Sequence, residues 1–125
     1  MAISCKKENQ TGVPPVQLDV SINITFPSYA DLQVVGGWAY LTGGSQGLIV
    51  YRNSQDEFTA LDRHCPVLPE NLCHVIVDED GIIARDTACC DASFLIVDGQ
   101  PLTVSGVGLR RYNTTFNGTI LRIYN

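Results

Sequence analysis

Apolar and polar positions alternate most cleanly between Val16 and Phe26. There Val16, Leu18, Val20, Ile22, Ile24 and Phe26 interleave with Gln17, Asp19, Ser21, Asn23 and Thr25. Successive side chains of a strand point to opposite faces, so this period of two predicts a half-buried strand. Shorter strand-like runs follow at Gln33 to Leu41, Gly47 to Arg52, Phe58 to Leu61, His74 to Val77, Ile82 to Arg85, Phe94 to Val97, Leu109 to Phe116 and Thr119 to Tyr124. Turn signals separate several of them: Gly43-Gly44, Asp80-Gly81, Asp98-Gly99 and Asn117-Gly118, the last flanked by β-formers and so the strongest hairpin signal. Helical periodicity is confined to Tyr29 to Gln33, too short to define a helix. Many short strands at fairly even spacing predict an all-β sandwich or barrel of antiparallel strands.

The 125 residues suffice for one core, and the pattern divides them into an N-terminal tether, 1–15, and a β domain, 16–125. The tether ends in Thr11-Gly12-Val13-Pro14-Pro15, and proline pairs favour extended linkers. A net charge of −5 argues against a nucleic-acid partner, which would call for a basic patch. No apolar run approaches the ~20 residues that span a bilayer. Any membrane association is therefore expected through an anchor.

Met1-Ala2-Ile3-Ser4-Cys5-Lys6-Lys7-Glu8-Asn9 suggests such an anchor. It resembles the junction of a bacterial lipoprotein, where small residues precede a cysteine that is lipidated and a polar tether follows. The resemblance implies lipidation at Cys5 and an extracytoplasmic place in a bacterial cell envelope, periplasmic or surface. The charged and apolar parts of a full signal peptide are not present in this stretch. If Cys5 carries a lipid, four of the five cysteines remain for the folded part: Cys65, Cys73, Cys89 and Cys90. In an oxidising compartment four cysteines are more often disulfides than metal ligands.

These cysteines lie in Leu61-Asp62-Arg63-His64-Cys65-Pro66-Val67, in Cys73-His74, and in Thr87-Ala88-Cys89-Cys90-Asp91-Ala92-Ser93-Phe94. Both ends fall between predicted strands, giving two cysteine-bearing loops separated by a short hairpin. The run from Gly47 to Arg52 followed by Phe58 to Pro66 resembles the approach to the first ligand loop of Rieske ferredoxin-like domains. Asp91 to Phe94 followed by Asp98-Gly99-Gln100-Pro101-Leu102 resembles the segment after the second. Leu109 to Tyr112 and Asn117 to Ile123 are similar to that family's closing hairpin. The match covers residues 35–125 and implies a Rieske-like fold.

A Rieske cluster needs one Cys-x-His and one Cys-x-x-His, since thiolates bind one iron and imidazoles the other. Carried over, the first motif falls on Cys65-Pro66-Val67, with valine in place of histidine. The second falls on Thr87-Ala88-Cys89-Cys90, with threonine for cysteine and cysteine for histidine. Cys65 alone keeps its family role and Cys90 is a substitute ligand, so a standard cluster is not expected. Some Rieske proteins also tie the loops with a disulfide that has one cysteine inside the second motif, the position of Cys89. A bridge from Cys89 or Cys90 to Cys65 or Cys73 would do that here, and three connectivities stay open among four cysteines. The expectation is a binding or structural domain with no cofactor and an unidentified protein partner. The alternative is an electron carrier holding a [2Fe–2S] cluster through Cys65, Cys73, Cys89 and Cys90, facing a redox partner. A zinc site from the same thiols with His64 or His74 lacks the usual short Cys-x₂₋₄-Cys pairs.

His64 and His74 each adjoin a cysteine, but loop histidines are usually solvated. Asp78-Glu79-Asp80 reads as a solvated hairpin tip. No nucleophile elbow, phosphate-binding glycine loop or Cys-x-x-Cys is present, so an enzyme is not expected. Sequons at Asn9, Asn23, Asn113 and Asn117 would matter only in a eukaryotic secretory setting.

Overall fold

The structure is a computed structural model that describes residues 16–67, 69–88, 91–102 and 107–125. It is all-β. The strands are β1 (Asp19–Asn23), β2 (Trp38–Leu41), β3 (Leu48–Arg52), β4 (Phe58–Asp62), β5 (Ile76–Val77), β6 (Ile83–Asp86), β7 (Ala92–Leu95), β8 (Arg111–Phe116) and β9 (Ile120–Tyr124). Six form an antiparallel sheet in the order β1-β9-β8-β4-β3-β2, which curls into a half-barrel, and three form a small second sheet, β5-β6-β7.

Each apolar run of the sequence holds a strand, but several strands are shorter than their runs. The alternation from Val16 to Phe26 yields β1 only where it pairs with β9, from Asp19 opposite Tyr124 to Asn23 opposite Ile120. Beyond that the Asn23 side chain accepts from the Thr25 N–H and hydroxyl, and the Phe26 N–H turns back onto the Asn23 carbonyl. The run from Gln33 to Leu41 is split. Its first residue ends a 3₁₀ segment, Pro27–Gln33, kinked at Tyr29, and Val34 and Val35 are exposed, so the strand begins only at Trp38. The cause is a bulge. The Gly36 N–H donates to the Arg52 carbonyl while the Arg52 N–H donates to the Gly37 carbonyl, so two glycines oppose one residue. Gly36 takes a φ of +90°, the conformation such a bulge needs and glycine supplies cheaply.

Two cores form, one on each face of β3 and β4. Leu48 and Val50 of β3, with Phe58 and Ala60 of β4, join Leu18, Ile22, Leu121 and Ile123 in the hollow of the half-barrel. Ile49 and Leu61 face the other way, onto Val75, Ala84, Phe94 and Ile96 of the second sheet and its loops. Buried on both faces, these strands read as continuous apolar runs, whereas β1, with one face solvated, alternates.

Arg52 ends β3 inside the structure, only 5% exposed. Its guanidinium donates to the carbonyls of Leu32 (3.1 Å), Ser54 (3.3 Å) and Gln55 (2.6 Å). It also lies 5.1 Å from the Phe58 ring centre and 5.4 Å from that of Phe116. One cation thus anchors the 3₁₀ segment, the β3–β4 turn and an aromatic pair. Arg52→Met keeps the apolar stem but strands the Leu32 carbonyl. It should lower unfolding free energy by about 2 kcal/mol, read from urea denaturation at constant m-value.

Candidate functional site

At the end of β4 the chain places a carboxylate where no water reaches it. Asp62 is fully buried. Its Oδ2 accepts from the Ser45 N–H (2.7 Å) and the Tyr112 hydroxyl (2.7 Å), and its Oδ1 from the N–H groups of Gln46 (3.2 Å) and His64 (2.9 Å). Four donors match the acceptor capacity of an ionised carboxylate. Two come from the turn that begins Gly43-Gly44. Gly44 has a φ of +65°, and a Cβ there would sit 2.6 Å from Asp62 Oδ2. The glycine turn therefore does cradle an anion, the protein's own. Burial, then the hydrogen bond to Asp62, pushes the Tyr112 phenol well above its ordinary value.

His64 departs from the expectation of a solvated loop histidine: it is fully buried, with its Nδ1 2.7 Å from the Ser45 hydroxyl. Serine, histidine and aspartate are thus neighbours. Asp62 meets His64 through the main-chain N–H and not the ring, so it does not orient the imidazole as a catalytic triad requires. The described contacts make the cluster a hydrogen-bonded hub that joins β4, β8 and the β2–β3 turn.

The first cysteine loop leaves from this hub. His64 bridges His74 across an antiparallel pair, with the Cys65 N–H on the Cys73 carbonyl (2.9 Å) and the Val75 N–H on the Arg63 carbonyl (2.8 Å). The loop is therefore pinched at its base. The Arg63 guanidinium donates to the Val75 carbonyl (3.0 Å) and stacks 3.9 Å from the Tyr40 ring centre. Cys65 is a free, fully buried thiol in the second core, beside Val67, Val75, Ala92 and Phe94. Burial first, then the nearby Asp86 carboxylate, pushes the thiol up to about 12. Asp86 is itself fully buried at the end of β6, where its Oδ1 accepts from the Ala88 N–H (3.0 Å) and starts the second cysteine loop. A buried thiol and a buried carboxylate thus stand at the bases of the two loops.

Of the other residues singled out from sequence, Cys73 is half-buried against the second core and disulfide-bonded, with its partner outside the described residues. His74 is exposed. Asp78 pairs with Arg85 (2.7 Å), and Asp80 caps the Ile82 N–H at the hairpin tip. Cys5, Cys89 and Cys90 lie outside the described residues, and with them the lipid site and half of the alternative ligand set. Among the described residues no group of three or more His, Cys, Asp or Glu is placed to hold a metal ion, and no helix is long and apolar enough to cross a membrane. No family model, curated protein or solved structure matches the chain.

The buried hub yields two predictions. Tyr112→Phe removes one charge-assisted donor and should cost about 2 kcal/mol. Asp62→Asn turns an amide donor onto existing donors and should cost about 3 kcal/mol or more, both by urea unfolding at neutral pH. The second concerns alkali. Cys65 and Tyr112 hold their protons more tightly folded than unfolded, so the stability they confer is complete below the unfolded thiol value of 9.0 and is lost as pH climbs toward about 12. Urea midpoints should be flat to about pH 9 and then fall, with a shallower fall in Cys65→Ala. At pH 8 the folded thiol should react with a disulfide reagent about a thousandfold more slowly than the unfolded one, matching its smaller thiolate fraction.

Proposed function

We propose that this chain is a non-catalytic binding or structural domain on a Rieske-like scaffold, one that does not assemble a standard Rieske cluster. A lipid on Cys5 would hold it, through the tether, at the outer face of a bacterial membrane. The observation that carries the reading is the state of Cys65. At the position of the first ligand motif, its thiol is fully enclosed in an apolar core, and that burial holds the proton on sulfur. An iron ligand must be a thiolate, and this setting favours the thiol. Val67, where the motif has its imidazole, is fully buried in the same core and has no donor atom.

The work a cluster does in tying two loops together is supplied here by other means. Packing joins their bases, because Cys65 and Ala92 belong to one buried core. The disulfide of Cys73, which we pair with Cys89 or Cys90, would join the loops further out. By the chain-entropy model, itself disputed, closing a loop of that size adds ~3 kcal/mol. The domain then offers a rigid surface and no redox centre.

The test is iron and acid-labile sulfide per chain, in protein purified without oxygen or chelators. Neither should be found in folded protein. About two of each would overturn the reading and make the domain an electron carrier with a cysteine-rich ligand set.

A further inference from the structure

Among the described residues the half-barrel does not close. Its sheet ends at β1 on one side and β2 on the other. Along β2 the Arg52 N–H bonds the Gly37 carbonyl, and beyond its end the Gly47 N–H bonds the Gly43 carbonyl. Odd-numbered residues therefore turn their main-chain groups toward β3, and by antiparallel alternation Trp38 and Tyr40 turn theirs outward. Residues 36–40 all line one groove of about 630 Å³. Side chains of both sheet faces can share a groove only if it runs along the strand edge. A second groove, about 390 Å³, continues it past Tyr40 along Leu41 and Thr42, with Val20 and Ile22 of β1 on its far bank. Open space thus follows the edge of β2 from 36 to 42, about 20 Å and the length of an ordinary strand.

The two halves differ in chemistry. The first is walled by Trp38 and Tyr40, packed edge-on at 5.0 Å, and rimmed by Asp31, Glu79 and Asp80, with no lysine or arginine in its lining. The second is lined mostly by apolar and aromatic side chains. Uncovered edges with apolar flanks invite pairing, and proteins usually guard them with charge. Here the charge is all of one sign, which repels another acidic chain and attracts a basic one.

We infer that this seam is a docking site for an extended segment of a protein partner, apolar at one end and bearing lysine or arginine at the other, which adds to β2 as a further strand. Main-chain bonds to Trp38 and Tyr40 would supply register, and the acidic rim and the Trp38 face would select cations. The inference extends the binding-domain reading to the edge of β2, where the Tyr40 ring carries Arg63 from the base of the first cysteine loop. That reading fails on iron content and this one on peptide binding, so each can fail alone.

The test is an NMR titration of the full chain with the blocked hexapeptide VTVKTK, its counterpart VTVETE, and VTVKTK methylated at alternate main-chain nitrogens. Shifts should concentrate at residues 36–42, Val20 and Ile22. The glutamate peptide should bind at least tenfold more weakly at low salt, the methylated peptide should lose binding, and salt should weaken the basic peptide. Asp31→Lys with Glu79→Lys, both at exposed positions, should bring the two charged peptides to parity. No shifts at millimolar peptide, equal binding of both charged peptides, or shifts centred on the cysteine loops would each overturn the inference. So would outward-facing amides of Trp38 and Tyr40 already protected from exchange without peptide, which would mean that the chain fills its own seam. Concentration-dependent broadening of those residues without peptide would instead assign the seam to a second copy of the chain.

Discussion

The buried carboxylate of Asp62 is the constraint on which the architecture turns. A charge away from water is costly unless its acceptor sites are filled, and here they are filled from three directions: the β2–β3 turn, β8, and the first residues of the cysteine loop. Each donor group is held in place by satisfying the same two oxygens. Gly44 is the geometric condition for this, because any side chain there would occupy the space of the carboxylate. The half-barrel and the loop that leaves it are thereby locked to one another at a single point.

From that point the chain reads as a sequence of polar anchors, each with a different client. Asp62 gathers amides, the His64 ring meets the Ser45 hydroxyl, and Cys65 is enclosed in the second core. Between these anchors the loop has little freedom at its base, since Cys65 and Cys73 also share a main-chain bond. The apolar core beneath it is continuous from Ile49 and Leu61 through Cys65 and Val67 to Phe94. On the proposed reading, a scaffold known for positioning metal ligands is here filled with side chains, and its rigidity survives the change.

Much of this architecture was legible in the sequence. The alternating run and the eight shorter strand-like runs hold the nine strands, and the glycines of the four turn signals take the positive φ those turns require. The interval from Pro27 to Gly37 was not legible, because a 3₁₀ segment and a two-glycine bulge depend on distant partners, the Arg52 guanidinium and main chain. The polar hubs were hidden for a related reason. An aspartate after an apolar strand looks the same whether it faces solvent or four donors, and Asp62 and Asp86 both close strands in that way. Ser45 and Tyr112 carried no signal at all, since their roles exist only once Asp62 has been placed. The one available hint was that Asp62 directly ends a strand buried on both faces.

The pairing of β1 with β9 joins the two ends of the domain. The Leu18 N–H meets the Asn125 side chain across a separation of 107 residues, and the Asn125 amide returns to the Val16 carbonyl. Closing so long a loop carries a larger entropic cost than closing any local hairpin of the sheet. Local hairpins such as β8–β9 and β3–β4 can assemble without it, so β1 is the natural latecomer in folding. Until it arrives, the hollow of the half-barrel lacks Leu18, Ile22 and Ile24 and stands open. A domain joined at its two ends in this way can also be cut elsewhere and rejoined there, so a circular permutant starting in the exposed β8–β9 turn would keep every strand neighbour while making the slowest contact a local one.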